Sequence, residues 1–212
     1  MESLDDPQIA SDDEHHLRRV LRIRDADVIT VSDGLGRWVT ARLTAHGVAV
    51  ESDTVSESMP RPAVVLSAIP KGDRPEWIVQ KLTEIGATTI GFVDCARSVV
   101  RWEEARAGRQ FDRMRRIARE AAMQSRRVWL PHLVDVQSFD QVIGPISSAI
   151  ADPDGGELSA ATDTVIVGPE GGFTDGELAR GTTRVRVSAN ILRVETAALA
   201  AAILLTQRHG SA

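Results

Sequence analysis

The stretch Val165-Ile166-Val167-Gly168-Pro169-Glu170-Gly171-Gly172-Phe173 constrains this chain more than any other. Its apolar β-branched start reads as a buried strand, and its three glycines lack the Cβ atoms that would keep a ligand away from the backbone amides. Thr174 and Glu177 follow at the spacing of a capping box: the hydroxyl accepts from the third helical amide and the carboxylate reaches back. A strand, a glycine loop and a capped helix form a binding crevice at the carboxyl end of a sheet. The plainer reading, a tight turn between two elements, stays open on these residues alone.

What the loop lacks narrows its ligand. It has no Gly-x-x-x-x-Gly-Lys-Ser/Thr, which excludes a phosphate-gripping P-loop, and no Gly-x-Gly-x-x-Gly dinucleotide fingerprint. It carries no Lys or Arg, and Glu170 would repel a polyphosphate. A neutral or cationic ligand of adenosine type fits better.

Strands and helices alternate around this loop, which implies an α/β sheet. Residues 63–69 form a continuous apolar run, as in a strand buried on both faces. Pro75 suits a first helical turn, Trp77, Ile78, Leu82 and Ile85 recur near helical period, and Gly86 stands where the helix should end. Residues 88–92 read as a strand and 111–126 as a helix, with Phe111, Met114, Ile117, Ala118, Ala121 and Ala122 inward. Residues 184–188 read as a short strand, and 194–208 as an alanine-rich helix. The small residues of that last helix allow close backbone approach or reflect helix propensity alone.

The amino-terminal part differs. Residues 27–32 and 37–43 are short β-type runs separated by Asp33-Gly34-Leu35-Gly36, a hairpin turn, and they suggest a small β-barrel. Residues 52–62 are polar and end in Pro60-Arg61-Pro62, which reads as a linker. Two modules are therefore expected, residues 1–58 and 62–212.

The 212 residues suffice for a real core, and the single cysteine, Cys95, excludes an internal disulfide framework and fits a reducing cytosol. No apolar stretch suits a signal peptide or membrane span, so a cytoplasmic protein is expected. The five histidines do not combine with Cys95 at ligand spacing, and no metal is implied. The net charge of −5 hides an asymmetry: from Arg97 to Arg127 there are ten arginines against four acids. A second basic cluster holds Arg18, Arg19, Arg22 and Arg24. Such clusters are either solvated helix faces or phosphate contacts.

Gly168-Pro169-Glu170-Gly171-Gly172-Phe173-Thr174, followed by Ile191-Leu192-Arg193-Val194-Glu195-Thr196-Ala197, resembles the paired signatures of the 16S ribosomal RNA uridine-N3 methyltransferase family of the SPOUT class. The stretch from Lys71-Gly72-Asp73-Arg74-Pro75-Glu76 to Gly86, and Arg119-Glu120-Ala121-Ala122-Met123-Gln124-Ser125-Arg126-Arg127, match the family in the same order. His15-His16-Leu17-Arg18-Arg19-Val20-Leu21-Arg22 resembles the start of its amino-terminal RNA-binding module. The chain departs from the family at its first residues, where an Arg-Phe-Phe-type strand is usual, and at Val187-Ser188-Ala189-Asn190, where Leu-Gly-Pro-Arg is usual.

The resemblance implies a PUA-like β-barrel followed by an α/β SPOUT domain whose last part forms a trefoil knot around S-adenosylmethionine. Gly168, Pro169, Glu170, Gly171 and Gly172 would form one wall of the cofactor site. Ser188, Ala189, Asn190, Ile191, Leu192 and Arg193 would form another, with Val167, Ile191 and Leu192 flanking the adenine and Thr196 and Ala197 also binding the cofactor. Arg193 is the candidate for stabilising a uracil anion, and Glu195 for orienting that arginine or accepting the N3 proton. An Arg and a Glu two positions apart at a helix start are equally a structural pair and cap. Arg18, Arg19 and Arg22 of the small module, and Lys71, Arg97, Arg101, Arg126 and Arg127 of the large one, would engage 16S ribosomal RNA within the 30S subunit, the enzyme working as a homodimer. The alternatives are a SPOUT methyltransferase for another RNA nucleotide and a non-catalytic RNA-binding protein that keeps the knot.

Overall fold

The computed structural model describes residues 4–9, 16–20, 22–44, 47–102, 104–144, 147–180 and 183–207, with backbone only for 16, 20 and 104–107. His15, His46 and Arg208 lie outside the described residues. The chain divides into two compact units, Met1–Met59 with Arg126–Leu130, and Pro60–Ser125 with Pro131–Ala212.

In the smaller unit β1 (Val28–Ser32) and β2 (Arg37–Thr44) form the expected antiparallel hairpin, registered from Val28 opposite Arg42 to Ser32 opposite Trp38. Its turn is stabilised by Asp33, whose carboxylate accepts from the Leu35 and Arg37 amides at 2.8 and 3.1 Å. β3 (Gly47–Val50) and β4 (Val55–Ser56) both pair with β2, so part of the expected linker is a strand. Ile29, Ala41 and Leu43 fill the interior of this sheet. The segment Arg126–Leu130 also belongs here: Gly36 donates to the Val128 carbonyl at 3.0 Å, and Leu130 to that of Gly34 at 2.9 Å. Gly36 is obligatory twice over, with φ +88° and a Cβ position only 2.3 Å from the Trp129 ring.

The larger unit runs β5 (Val64–Ala68), α1 (Arg74–Ile85), β6 (Thr89–Asp94), α2 (Glu104–Gln124), β7 (His132–Ser138), α3 (Phe139–Val142), β8 (Ser148–Gly156), β9 (Thr164–Val167), α4 (Asp175–Arg180), β10 (Arg184–Val185) and α5 (Val194–Gln207). Its six strands are all parallel, in the order β10-β8-β9-β5-β6-β7. Strand residues alternate between two cores. Val65, Ile90, Val165 and Val167 lie in one with Ile78, Leu82, Met114, Ala198 and Ala201; Leu66, Val93 and Ile166 lie in the other with Phe139 and Phe173. Burial on both faces explains why the central strands read as unbroken apolar runs.

α1 begins and ends as its sequence predicts: Pro75 stands in the first turn, and Gly86 adopts a left-handed conformation, its amide bonding the Leu82 and Thr83 carbonyls. Of the residues recurring at helical period, Trp77 is 41% exposed. α2 starts at Glu104, seven residues before the expected Phe111. β10 covers only two of the five residues expected of it. Ala197, Ala198, Ala201 and Ala202 of α5 are buried within the chain, where the helix packs on α1 and β5. No helix among the described residues is long and apolar enough to cross a membrane.

Candidate functional site

The sheet order reverses between β5 and β9. From β5 the chain moves outward through β6 and β7, then returns on the other side to β8, β9 and β10. Ligands of open parallel sheets bind beyond the carboxyl ends of the strands at such a switch point. Ser67 and Val167 face one another in register there, and the glycine loop follows immediately.

The loop is shaped from within and braced from outside. A Cβ on Gly168 would stand 2.8 Å from the Phe173 ring, which is buried against Phe139 at a centroid distance of 5.6 Å. Gly172 has φ +68° and donates to the Pro169 carbonyl at 2.8 Å, so the turn closes on itself while Gly171 and Gly172 stay exposed. The capping box forms as predicted: Glu177 N–H donates to Thr174 Oγ1 at 3.2 Å, and Thr174 N–H to Glu177 Oε2 at 2.8 Å. The other oxygen, Oε1, accepts from the Ala96 amide at 2.8 Å, which ties the loop after β6 to the start of α4. Burial alone would raise the Glu177 pKa, but the bonds from Thr174 and Ala96 and the charge of Arg97 outweigh it and hold the carboxyl below its ordinary value.

Arg97 braces the same loop. Its Nη1 donates to the carbonyls of Gly171 and Phe173 at 2.9 and 3.1 Å. A residue expected to meet RNA thus holds the glycine loop in shape.

The second loop leaves β10. Asn190 N–H donates to Ser188 Oγ at 3.1 Å, which closes a local turn. Ala189, Asn190 and Arg193 are exposed, Ile191 is 89% exposed, Leu192 is half-buried, and Thr196 and Ala197 lie in the first turn of α5. Glu195 points at Arg74, with Oε1 3.4 Å from its Nε, and makes no ion pair with Arg193. The expected orientation of Arg193 by Glu195 is therefore not what the side chains do. Distance along the chain hid the Arg74 contact, although Arg74 sits inside a recognised motif.

Buried polar atoms lacking a hydrogen bond concentrate in this region. Of the four among the described residues, Ser67 Oγ, Asp94 Oδ1 and Glu195 Oε2 lie at the carboxyl edge, and only Trp129 Nε1 lies elsewhere. Arg101 Nε is 3.3 Å from Asp94 Oδ1, near enough for attraction but not aligned for a hydrogen bond. Arg101 also lines an open cleft of about 220 Å³ with Pro70, Gly72, Glu76, Trp102 and Gln110. Lys71 is exposed in the loop after β5.

The remaining arginines expected to meet RNA are in the smaller unit. Arg18 is engaged by Asp25 at 2.8 Å and by the Thr44 carbonyl at 2.9 Å, while Arg19 and Arg22 are exposed. Arg126 and Arg127, assigned from sequence to the large module, also belong to this unit. Arg126 is exposed, and burial lowers the pKa of Arg127.

The family model described as RNA methyltransferase domain matches residues 57–206, and that described as RNA methyltransferase PUA domain matches 9–47. Ribosomal RNA small subunit methyltransferase E of Bacillus subtilis (strain 168) is 32% identical, over 90% of this chain and 86% of its own. The chain belongs to the ribosomal RNA small subunit methyltransferase E family. The family member from Synechocystis is 34% identical, over 86% of this chain and 67% of its own. A crystal structure of the family member from Neisseria gonorrhoeae bound to S-adenosyl methionine is 29% identical, covers 94% of this chain and 90% of its own, and superposes with a TM-score of 0.79. The match to the PUA domain lies in the smaller unit, and most of the match to the methyltransferase domain lies in the larger one.

Proposed function

We propose that this protein transfers the methyl group of S-adenosylmethionine to N3 of a uridine in 16S ribosomal RNA, acting as a homodimer on the small ribosomal subunit in the cytoplasm. The observation that carries this reading is the glycine loop at the switch point, braced by Arg97 and Glu177 and free of basic side chains. A relative of the same fold binds that cofactor, and the chain's relatives carry the ribosomal RNA methyltransferase name.

The residues fit the cofactor. Exposed Gly171 and Gly172 leave backbone amides approachable, exposed Glu170 complements positive charge, and the loop holds no cation to repel it. Gly168 to Gly172 would form one wall, Ser188 to Leu192 the other, Val167 the floor, with Thr196 and Ala197 alongside. Bound there, S-adenosylmethionine supplies a methyl group already activated by its cationic sulfur. Uracil N3 is protonated at neutral pH, so the protein must accept a proton and stabilise an anion. Exposed Arg193 supplies the positive charge, and Glu195 the acceptor. Holding the reacting atoms in line accounts for much of the remaining rate. Lys71 and Arg101 near the site, and Arg19, Arg22 and Arg126 of the smaller unit, offer phosphate contacts that fix register, while RNA shape and the flipped base supply selectivity.

The test is transfer of labelled methyl to 16S RNA and to 30S subunits from a strain lacking this protein, with the product nucleoside identified by mass spectrometry. Label in N3-methyluridine is expected. Label in another nucleoside would replace the substrate, and absence of label would favour the RNA-binding alternative.

A further inference from the structure

Glu195 lies in the first turn of α5, where the amides of the helix start favour a carboxylate, and its side chain is 12% exposed. Structural arginine–carboxylate pairs are frequently bidentate, with two parallel N–H···O bonds that satisfy both oxygens. Here the ion pair is loose, with Oε1 3.4 Å from Arg74 Nε, and Oε2 is sealed from solvent without a hydrogen-bond partner. A buried acceptor without a partner is costly, and a catalytic role is one of the reasons a native structure keeps one.

Arg74 enters from the first turn of α1, immediately after the exposed Lys71-Gly72 loop that follows β5. Ile78 and Leu82 of α1 share a core with Ala198 and Ala201 of α5, so the two helices are fastened together and the Arg74–Glu195 distance is set by packing.

We propose that Arg74 is a positioning residue: its guanidinium attracts Glu195 Oε1 and fixes the carboxylate so that Oε2, covered in the free chain, meets the N3–H of the uracil once RNA binding uncovers it. The proton of N3 passes to Oε2, and the electron pair left on N3 takes the methyl while the old carbon–sulfur pair stays on sulfur. This inference rests on the methyl transfer proposed above.

A double-mutant cycle with Arg74→Gln and Glu195→Gln tests it, with steady-state transfer to 30S subunits, calorimetric S-adenosylmethionine binding and thermal unfolding measured on all four proteins. Arg74→Gln should lower kcat about 100-fold, in the range that a lost general base costs. Cofactor affinity should stay within about twofold of the unchanged protein, since Arg74 acts through Glu195. In the Glu195→Gln background the same change should cost less than about twofold, because residues acting as a unit are not additive. Arg74→Lys, which keeps the charge, should recover part of kcat and guards against a glutamine variant that unfolds. Equal losses in both backgrounds, or a loss expressed only as weaker cofactor binding, would overturn the positioning role. No transfer by the unchanged protein would overturn the methyltransferase reading and this inference with it.

Discussion

Glu177 accepts three hydrogen bonds, from the Thr174 amide and hydroxyl and from the Ala96 amide, while only 7% exposed. Replacing it by glutamine keeps the shape but turns one acceptor into a donor facing an N–H. A loss of about 1–3 kcal/mol at pH 7 is expected. Because its folded pKa lies below the ordinary value, the carboxylate contributes fully above the unfolded pKa, about 4.3, and progressively less as pH falls through the folded value. Thermal unfolding of the unchanged protein and Glu177→Gln between pH 7 and pH 3 should show the two curves converging at the acid end. The half of this residue's work that caps α4 was readable from the Thr174–Glu177 spacing. The half that ties down Ala96 was not, since the partners stand 81 residues apart.

At the scale of elements, β8 and β10 meet more closely than side chains permit. A Cβ on Gly155 would stand 2.5 Å from the Val185 carbonyl carbon and 2.7 Å from its amide nitrogen, so backbone itself would have to move. β10 leads directly into the loop holding Ser188 to Arg193, and Gly155→Ala should therefore disturb a site it does not touch. About 1–3 kcal/mol of stability should be lost by overpacking, with cofactor affinity measured by calorimetry falling at least about tenfold. Residues 184–188 read as a five-residue strand, whereas pairing with β8 stops after Val185. β7 and β8 were not legible at all. They combine polar and apolar residues without a clean period, and only their places beside β6 and β9 make them strands.

For the whole molecule, a net charge of −5 coexists with arginines gathered along one stretch of chain. Binding to 16S RNA should weaken linearly with the logarithm of salt concentration, each phosphate contact contributing about 0.7 to the slope on single strands. Arg97 and Arg101 should part company in that measurement. Arg101→Gln should reduce the slope by about 0.7, because the side chain is 62% exposed beside an open cleft. Arg97→Gln should leave the slope nearly unchanged and weaken cofactor binding, because its guanidinium is spent on the Gly171 and Phe173 carbonyls. Charge counting along the sequence could not separate these two neighbours. Their roles depend on what lies across the sheet edge. The sequence by itself determined the glycine loop, the cap of α4, both ends of α1, the buried central strands and the family, because each is recorded within a strand, a helical turn or a short motif. That Glu195 faces Arg74, that Arg97 grips the loop and that Trp129 closes on Gly36 emerges from folding alone. Those contacts join residues far apart in the chain, and their existence depends on backbone distances and burial that no local period encodes.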